Sequence, residues 1–476
     1  MNRQQRHNSR SYASKDSLID RLAHNAGVPD AERERFLNWI IAQRWTEYRQ
    51  ERMNQRLIIE NEIRNLGIRL PNGTANKEYI ASFRLPPDKV SDVRLEGADE
   101  LGLRFEAEKD GICTLKGIPA SAGDFSLILS FRTVDGEPAS ELKIPVAFNP
   151  DPRKLWNDIP TDPNVIFYKE DSDSDYVKVE AGEDGLEKKD IVAASRRGRS
   201  HAHEGKPRDD HFSLYHCDRS DWYILAVADG AGSAKYSREG SRIACETVVD
   251  HCKSLLLDNP AFEEAIKAYV ADRDDKDKRT EVTRFVIDIV YKGAMKAHEA
   301  IKKVVAANHD TKLRDFATTL MFAICKKYDF GWFVASFWVG DGAIALYDEA
   351  NGEVKLLGTP DEGEFSGQTR FLTMPEIFHD PEAGVKRLRM AIVPDFTALF
   401  LMTDGVSDPM FETDRNLSDP SKWKEFLATL KEGFPGDGIP GVDLSDDNEA
   451  SKAQLLRWLD FWSPGNHDDR TIAILY

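Results

Sequence analysis

The stretch Ile224-Leu225-Ala226-Val227-Ala228-Asp229-Gly230 places an aspartate and a glycine at the end of an apolar run. The chain sets an aspartate beside an apolar run three more times, at residues 337–342 (FWVGDG), 399–405 (LFLMTDG) and 467–472 (HDDRTI). Short apolar runs of this kind predict buried strands. A terminal carboxylate adds nothing to a buried core, whereas carboxylates from several strand ends can together bind a hard cation. We therefore interpret the four aspartates as candidate metal ligands.

The type of ligand narrows the chemistry of that site. Clustered carboxylates repel one another at neutral pH unless cations lie between them. Oxygen ligands without Cys or paired His favour magnesium or manganese over zinc or copper. Two such ions lower the pKa of a shared water and hold a phosphoryl oxygen, so the ligand set suits hydrolysis of a phosphoester. Taken singly, an Asp-Gly pair is more often a turn or a helix cap, and Asp341-Gly342 also fits a hairpin turn.

The composition excludes several classes of protein. A formal net charge of −18 over 476 residues argues against nucleic-acid binding, which depends on basic side chains. Five scattered cysteines without a C-x-x-C motif favour a reducing compartment over a disulfide framework. The polar N-terminus lacks the apolar core of a secretory signal, and no run approaches the ~20 apolar residues of a membrane helix. We therefore expect a cytoplasmic protein without a membrane span.

Changes in residue periodicity predict four parts in this chain. They are a helical segment at 1–68, an immunoglobulin-like β-sandwich at 76–149, an acidic linker at 150–190 and a catalytic domain at 191–476. The second part alternates apolar and polar residues, with turn pairs such as Asp110-Gly111. Its segment Leu115-Lys116-Gly117-Ile118-Pro119, followed by Gly123-Asp124-Phe125, resembles the strand pair of bacterial immunoglobulin-like or cadherin-like modules. A spacer or protein-binding role fits this part, which has no catalytic motif.

Strands and helices are segregated into blocks within the last part. Strands are predicted near 212–216, 222–228, 319–326, 331–339, 343–347, 388–394, 398–403 and 470–475. Two long helices are predicted near 237–256 and 281–307. This segregation favours an α+β fold with an antiparallel β-sandwich flanked by helices, preceded by the helical segment and the small all-β sandwich.

Six short motifs follow one another in the last part. They are Asp209-Asp210, Asp229-Gly230-Ala231-Gly232-Ser233, Phe316-Ala317-Thr318-Thr319-Leu320, Gly340-Asp341, Thr403-Asp404-Gly405 and Asp468-Asp469-Arg470-Thr471. In this order they resemble the motifs of the metal-dependent serine/threonine phosphatases of the protein phosphatase 2C (PPM) family, in a bacterial variant branch. One such motif would be weak evidence for the resemblance, whereas six motifs in the family's order are specific evidence for it. The resemblance covers residues 191–476.

The resemblance implies a role for most of these acidic residues. Asp229 would bridge two metal ions, with the Gly230 carbonyl on one of them. Asp404 and Asp468 would complete the coordination of the first ion. The implied cofactors are therefore two Mn²⁺ or Mg²⁺ ions.

The remaining acidic motifs imply further ligands. Asp209 or Asp210 would coordinate the second ion, directly or through water. Asp341 lies where many bacterial members hold a third, weaker ion. A third cofactor ion is therefore implied at Asp341.

The chain departs from the family pattern at three positions. Ala231 stands where the family often has a histidine as candidate proton donor to the leaving group, and Ser233 replaces the last glycine of D-G-x-G-G. Gly205 stands where the family has a phosphate-gripping arginine. Because of these departures, the family pattern does not identify which residue contacts the phosphate or which group donates the proton.

Nearby residues are the candidates for those two roles. Arg208, Lys206 or His201 would contact the phosphate, and His211 or a metal-bound water would act as the acid. With the metal-bridging residue and the second acidic residue, the expected catalytic set is Asp229, Asp210, Arg208 and His201.

Two functions fit these observations. The first is hydrolysis of phosphoserine and phosphothreonine in proteins by a water that two metal ions activate, acting on a cognate serine/threonine kinase or its targets. The alternative is a catalytically weak, phosphatase-like module that binds phosphoproteins, for which Ala231 and Gly205 argue. The four retained carboxylates favour the first.

Overall fold

The computed structural model describes residues 21, 23–133, 138–180, 182, 185–358, 360–361, 369–379 and 381–476. The chain divides into two compact units between Leu155 and Trp156. Within the described residues, no helix has the length and apolar character needed to cross a membrane.

The first unit contains the long helix Arg33–Asn65 and a set of short strands. The strands are β1 (Gly73–Thr74), β2 (Tyr79–Arg84), β3 (Ser91–Glu96), β4 (Leu103–Ala107), β5 (Ile112–Gly117), β6 (Gly123–Arg132) and β7 (Ser140–Asn149). They form a four-stranded sheet, β1-β7-β6-β3, and a three-stranded sheet, β2-β5-β4. The two sheets share one apolar core, which also buries Ile63 from the last turn of the helix. This strand order agrees with an immunoglobulin-like sandwich whose first strand pairs with the last, and that assignment stays a prediction.

The second unit contains the remaining strands. They are β8 (Ser172–Val177), β9 (Ile191–Arg196), β10 (His211–Cys217), β11 (Trp222–Ala228), β12 (Leu320–Tyr328), β13 (Gly331–Val339), β14 (Ala343–Asp348), β15 (Glu353–Leu356), β16 (Leu388–Val393), β17 (Ala398–Met402), β18 (Gly433–Phe434), β19 (Ile439–Pro440) and β20 (Arg470–Leu475). A five-stranded sheet has the order β10-β11-β12-β13-β16, and a six-stranded sheet has the order β15-β14-β17-β20-β9-β8. Every pairing in these sheets is antiparallel.

Helices cover the outer faces of both sheets. The α-helices are Arg199–Glu204, Ser237–Leu256, Pro260–Ala271, Lys276–Val286, Lys292–Ala307, Glu376–His379, Pro381–Val385, Asp404–Phe411, Pro420–Glu432 and Ser451–Trp458. The five-stranded sheet shares its core with helices such as Ser237–Leu256 and Lys292–Ala307. The six-stranded sheet shares its core with Pro420–Glu432 and Ser451–Trp458. The α+β fold with a helix-flanked antiparallel sandwich is therefore confirmed.

The period-two pattern of β11 explains how the layers meet. All residues of this strand are buried. Ile224 and Ala226 face the helices, whereas Leu225 and Val227 face the other sheet. Because both faces of the strand are covered, its sequence is a continuous apolar run rather than an alternation of apolar and polar residues.

Two local predictions differ from the structure. The segment predicted as an acidic linker supplies β8, which pairs with β9 at the edge of the six-stranded sheet. An edge strand has one neighbour and tolerates charged side chains, so its Ser-Asp-Ser-Asp sequence gives little sign of a strand. The helix predicted near 281–307 is interrupted by a π-helical turn at Ile287–Tyr291.

The two-sided burial of the central strands predicts a large cost for truncating their side chains. Ile324 on β12 is completely buried, so Ile324→Ala should lower the free energy of unfolding by roughly 2–5 kcal/mol. Ile166 is 61% exposed, and Ile166→Ala should change the free energy of unfolding by less than about 0.5 kcal/mol. Urea denaturation followed by tryptophan fluorescence measures both. Equal costs for the two variants would contradict this packing.

Candidate metal centre

Three of the predicted aspartates meet at one end of the sandwich. Asp229 follows β11, Asp341 lies in the turn between β13 and β14, and Asp404 is the first residue of the helix after β17. One carboxylate oxygen from each lies within 4.8 Å of the others. Strand ends from both sheets therefore converge here, although these residues are far apart in the sequence.

Asp210 and Asp468 join this group from two further strand ends. Asp210 precedes β10 and Asp468 lies just before β20. The carboxyl groups of Asp210 and Asp229 lie close enough for each to shift the pKa of the other. Thr403 Oγ1 donates to Asp210 Oδ2 at 2.9 Å, which fixes the direction of this carboxyl group. We call these five aspartates (210, 229, 341, 404 and 468) the carboxylate cluster.

Thr318 and Thr319, from the third of the six motifs, hold the backbone of Asp229. The Asp229 N–H donates to Thr319 Oγ1 at 2.8 Å. The Asp229 carbonyl accepts from Thr318 Oγ1 at 2.9 Å and from the Thr319 N–H at 2.8 Å. With both peptide groups fixed, the side chain leaves the end of β11 in a defined direction.

Two glycines of the motifs allow backbones to approach one another closely. A Cβ atom on Gly230 would lie 2.7 Å from the Asp209 carbonyl oxygen. A Cβ atom on Gly405 would lie 1.8 Å from the Asp469 carbonyl oxygen. These glycines therefore serve close packing between the motif segments.

The cluster is electrostatically unfavourable without a cation. Burial, together with the neighbouring carboxylates, raises the pKa of Asp229 and Asp404 well above the ordinary value. The same causes raise the pKa of Asp210 to about 7, and burial also raises the pKa of Asp341 and Asp468. A raised pKa favours the protonated form of a carboxyl group, and a divalent ion can replace that proton.

The cluster also contains oxygens that lack a partner. Asp210 Oδ1 and Asp404 Oδ1 are buried and accept no hydrogen bond from the protein. Buried polar atoms are nearly always paired, so unpaired oxygens at one point fit ligation of an ion. An all-oxygen donor set fits Mg²⁺ or Mn²⁺. The assignment of these residues and of the Gly230 carbonyl as ligands stays a prediction.

Asp209 lies apart from the cluster. Its carboxylate is 3.6 Å from His201 Nε2 and 3.9 Å from Arg238 Nη1. Burial and Asp469 raise the pKa of Asp209 to about 6. Of the two residues in the acidic pair, the structure therefore places Asp210 against the other carboxylates.

Asp469 organises this side of the site and was missed from the sequence. It is buried, and its carboxylate accepts from the backbone N–H groups of Gly198 at 2.6 Å and Asp209 at 2.5 Å. Its Oδ1 also lies 3.0 Å from His201 Nδ1. Although burial raises the pKa of Asp469, His201 and these N–H groups lower it below the ordinary value. The available signal was that a second aspartate stands in the asparagine position of the D-N-x-T motif.

His201 is buried beside two carboxylates. Burial lowers its pKa, but Asp469 and Asp209 raise it to about 9, so the ring is a cation at neutral pH. Its Nε2 also faces the loop after Asp229, because a Cβ atom on Gly232 would lie 3.8 Å from it. The predicted site residue therefore supplies a positive charge next to the carboxylate cluster.

The structure buries Arg208 against β8, and the expected contact of Arg208 with phosphate stays a prediction. Arg208 is 1% exposed, and its Nε donates to the Glu170 carbonyl at 3.2 Å. Its Nη2 lies 3.9 Å from Asp173 on β8. The sequence did not reveal this because the β8 segment that covers the arginine was interpreted as a linker.

A separate acidic group does not have the features of a metal site. It consists of Asp190, Asp446 and Asp447. Both oxygens of Asp190 are already bonded, one to the Val179 N–H and the other to Tyr176 and the Asp447 N–H. Asp447 also forms an ion pair with Lys178 at 3.1 Å. Asp190 and Asp447 therefore already have partners within the protein.

Comparisons with known proteins give one match to a family. A family model described as Protein phosphatase 2C matches residues 197–459, which is more than half of the chain. A comparison with curated proteins gives no match.

Solved structures of three phosphatases are similar to part of the chain. A bacterial serine phosphatase is 14% identical, with 60% of this chain and 96% of that chain covered and a TM-score of 0.34. The catalytic domain of the serine/threonine phosphatase PstP in complex with 2 manganese ions is 16% identical, with coverages of 60% and 96% and a TM-score of 0.33. Stp1 from Staphylococcus aureus is 13% identical, with coverages of 60% and 93% and a TM-score of 0.34.

The raised pKa values predict how pH changes the stability of the metal-free protein. A carboxyl group whose pKa is higher in the folded state stabilises that state below its ordinary pKa, and this contribution is lost as pH rises through the folded value. The pKa values of about 6 for Asp209 and about 7 for Asp210 place the loss between about pH 4 and pH 8. The melting temperature in chelator should therefore fall across this range, and excess Mn²⁺ should reduce the fall.

Differential scanning fluorimetry at a series of pH values measures this effect. The Asp210→Asn variant removes one of the titrating groups and should show a smaller fall in chelator. A melting temperature of the chelated wild type that stays constant or rises over the range would contradict the proton-bearing cluster.

Proposed function

Because this chain belongs to the protein phosphatase 2C family, we propose that it hydrolyses phosphoserine and phosphothreonine in proteins, with Mn²⁺ or Mg²⁺ as the cofactor. The observation that carries the proposal is the convergence of the carboxylate cluster at one end of the sandwich. Oxygen ligands from five strand ends fit hard divalent ions better than any other cofactor class. Nothing in a structural core requires such an arrangement.

The cluster offers a natural division of the ligands. Asp229 interacts with Asp404, Asp210 and Asp468, so we propose it as the residue that bridges two ions. Asp341 lies beside Asp404 and would hold a third ion. A pair of ions bound here would supply a water of lowered pKa and would offset charge on the phosphoryl group.

The residues around the cluster prepare it for a charged substrate. Thr318, Thr319 and Thr403 hold the acidic residues in fixed directions, so little reorganisation is needed when the substrate binds. His201 carries a positive charge next to the loop that follows Asp229. We propose that this charge attracts the phosphate group, in place of the arginine that the family has at the position of Gly205.

The alternative function is a module that binds phosphoproteins without efficient turnover. It is supported by Ala231, which puts a methyl group where the family often has a histidine. Ala231 lines a groove of about 650 Å³ together with Ala234, Ala317 and Phe371. The binding function predicts phosphopeptide binding that does not depend on Mn²⁺. The phosphatase function predicts phosphopeptide turnover that depends on Mn²⁺.

The same proposal implies the substrates and the cellular location of the protein. The substrates would be phosphoproteins, namely a serine/threonine kinase or its targets. All five cysteines are free and buried, which fits a reducing compartment, and we propose a cytoplasmic location. The net charge of −18 fits a protein that does not bind nucleic acid.

The proposal predicts the effect of neutralising the bridging residue. Asp229→Asn should reduce turnover of a phosphothreonine peptide with Mn²⁺ by more than about 100-fold, because loss of a direct ligand should exceed the 10–100-fold cost typical of residues behind the ligands. The same change should raise the melting temperature of the metal-free protein, because it removes the free-energy cost of burying the Asp229 carboxyl group among other carboxyl groups.

A matched aspartate provides the control. Asp258 is exposed and forms a surface ion pair with Arg219, so Asp258→Asn should leave both quantities unchanged. Mn²⁺-dependent turnover of Asp229→Asn at the wild-type rate would refute the metal assignment.

A further inference from the structure

Residues 156–177, which we call the strap, pack onto the segment that carries the acidic pair. The Asn157 N–H donates to His203 Nδ1 at 3.0 Å, and the Ile159 N–H donates to the Ala202 carbonyl at 2.9 Å. Arg197 donates to Asp158 at 2.8 Å. The matched family region begins at residue 197, so the strap lies outside it.

The middle of the strap is held from two directions. Thr161 Oγ1 donates to the Lys206 carbonyl at 3.2 Å, close to the acidic pair. Arg238, on the helix Ser237–Leu256, donates to the carbonyls of Ile166 at 2.6 Å and Phe167 at 2.8 Å. The residues that follow Phe167 are therefore fixed between that helix and the start of β10.

Lys169 is the strap residue that reaches the acidic pair. Its Nζ donates to the Asp210 carbonyl oxygen at 2.9 Å and to Ser241 Oγ at 3.2 Å. Ser241 Oγ in turn donates to the Asp209 carbonyl oxygen at 2.5 Å. One lysine amino group therefore supports both carbonyls of the pair, one directly and one through a hydroxyl.

The N–H groups of the same pair are held from the opposite side. Asp469 Oδ2 accepts from the Asp209 N–H at 2.5 Å and from the Asp210 N–H at 3.4 Å. The peptide groups of the acidic pair are thus fixed by Asp469 on one side and by Lys169 and Ser241 on the other. Because the backbone of Asp210 cannot rotate freely, its carboxylate is directed at Asp229.

We propose that Lys169 is a positioning residue that directs the Asp210 carboxylate into the metal centre, so that the strap is part of the phosphatase site. The inference rests on the proposed function, because it takes Asp210 as a metal ligand. Burial and Arg208 lower the pKa of Lys169 to about 7, whereas Asp209 and Asp210 raise it, so the amino group and the acidic pair attract each other. Groups behind a metal ligand set its direction and basicity, and their loss usually weakens metal binding.

The experiment compares Lys169→Met with wild type by calorimetric titration of the metal-free protein with Mn²⁺. Methionine has a similar length but cannot donate a hydrogen bond. We expect binding of at least one Mn²⁺ to weaken by about 10–100-fold. We also expect kcat for a phosphothreonine peptide to fall at saturating Mn²⁺ while KM for the peptide changes little, because the contacts of Lys169 are with Asp210 and Ser241.

Two further variants keep the test decisive. Ser241→Ala removes the hydroxyl between Lys169 and Asp209, should weaken Mn²⁺ binding in the same direction, and decides the question if Lys169→Met does not fold. Lys178→Met is the control, because Lys178 is an exposed lysine just after the strap that pairs with Glu180 and Asp447. It should bind Mn²⁺ as the wild type does.

The outcomes separate the two proposals. Wild-type protein that neither binds Mn²⁺ nor hydrolyses the peptide would refute the proposed function. Wild-type protein that does both, with Lys169→Met and Ser241→Ala matching its Mn²⁺ affinity within twofold, would refute the role of Lys169 alone. A lower melting temperature of the folded variants with unchanged Mn²⁺ affinity would also refute it, because that result describes a purely structural lysine.

Discussion

Repulsion among carboxylates at the end of the sandwich is the constraint on which the rest of the second unit depends. Asp229 and Asp404 come from different sheets, and burial with mutual repulsion raises the pKa of both well above the ordinary value. Such a group persists only if the surrounding structure fixes each residue and a proton or cation neutralises it. The strands on both sides of the inter-sheet core provide the first condition, because they bury apolar residues along their length and end at the same place.

Hydrogen bonds from the neighbouring segments convert this rough convergence into a defined geometry. Thr319 holds the peptide of Asp229, and Asp469 holds the N–H groups of the acidic pair. Lys169 and Ser241 hold the opposite side of that pair. These contacts come from parts of the chain as distant as the strap and β20, so the site and the fold of the second unit are stabilised together. Residues outside the carboxylate cluster therefore determine where its side chains point.

The sequence predicted the parts of this arrangement that have a strong local signal. The apolar runs of β11 and β13 and the helix Ser237–Leu256 were located correctly, because their residues are buried on a regular period. The strand β8 was missed, since an edge strand of serine and aspartate carries no apolar pattern. The burial of Arg208 was missed for the same reason, because β8 supplies the aspartate that it faces. The support that Lys169 gives to Asp210 joins residues with no periodic relation, so only the folded structure reveals it.

Anomalous diffraction from crystals soaked in Mn²⁺, collected at the manganese absorption edge, tests the central claim most directly. The account predicts two strong anomalous peaks about 3.5–4 Å apart, with Asp229 oxygens between them and with Asp210, Asp404 and Asp468 around them. A weaker peak beside Asp341 would mark the third ion. Crystals that show no manganese at these aspartates, or manganese only at Asp190 and other acidic groups outside the cluster, would contradict it.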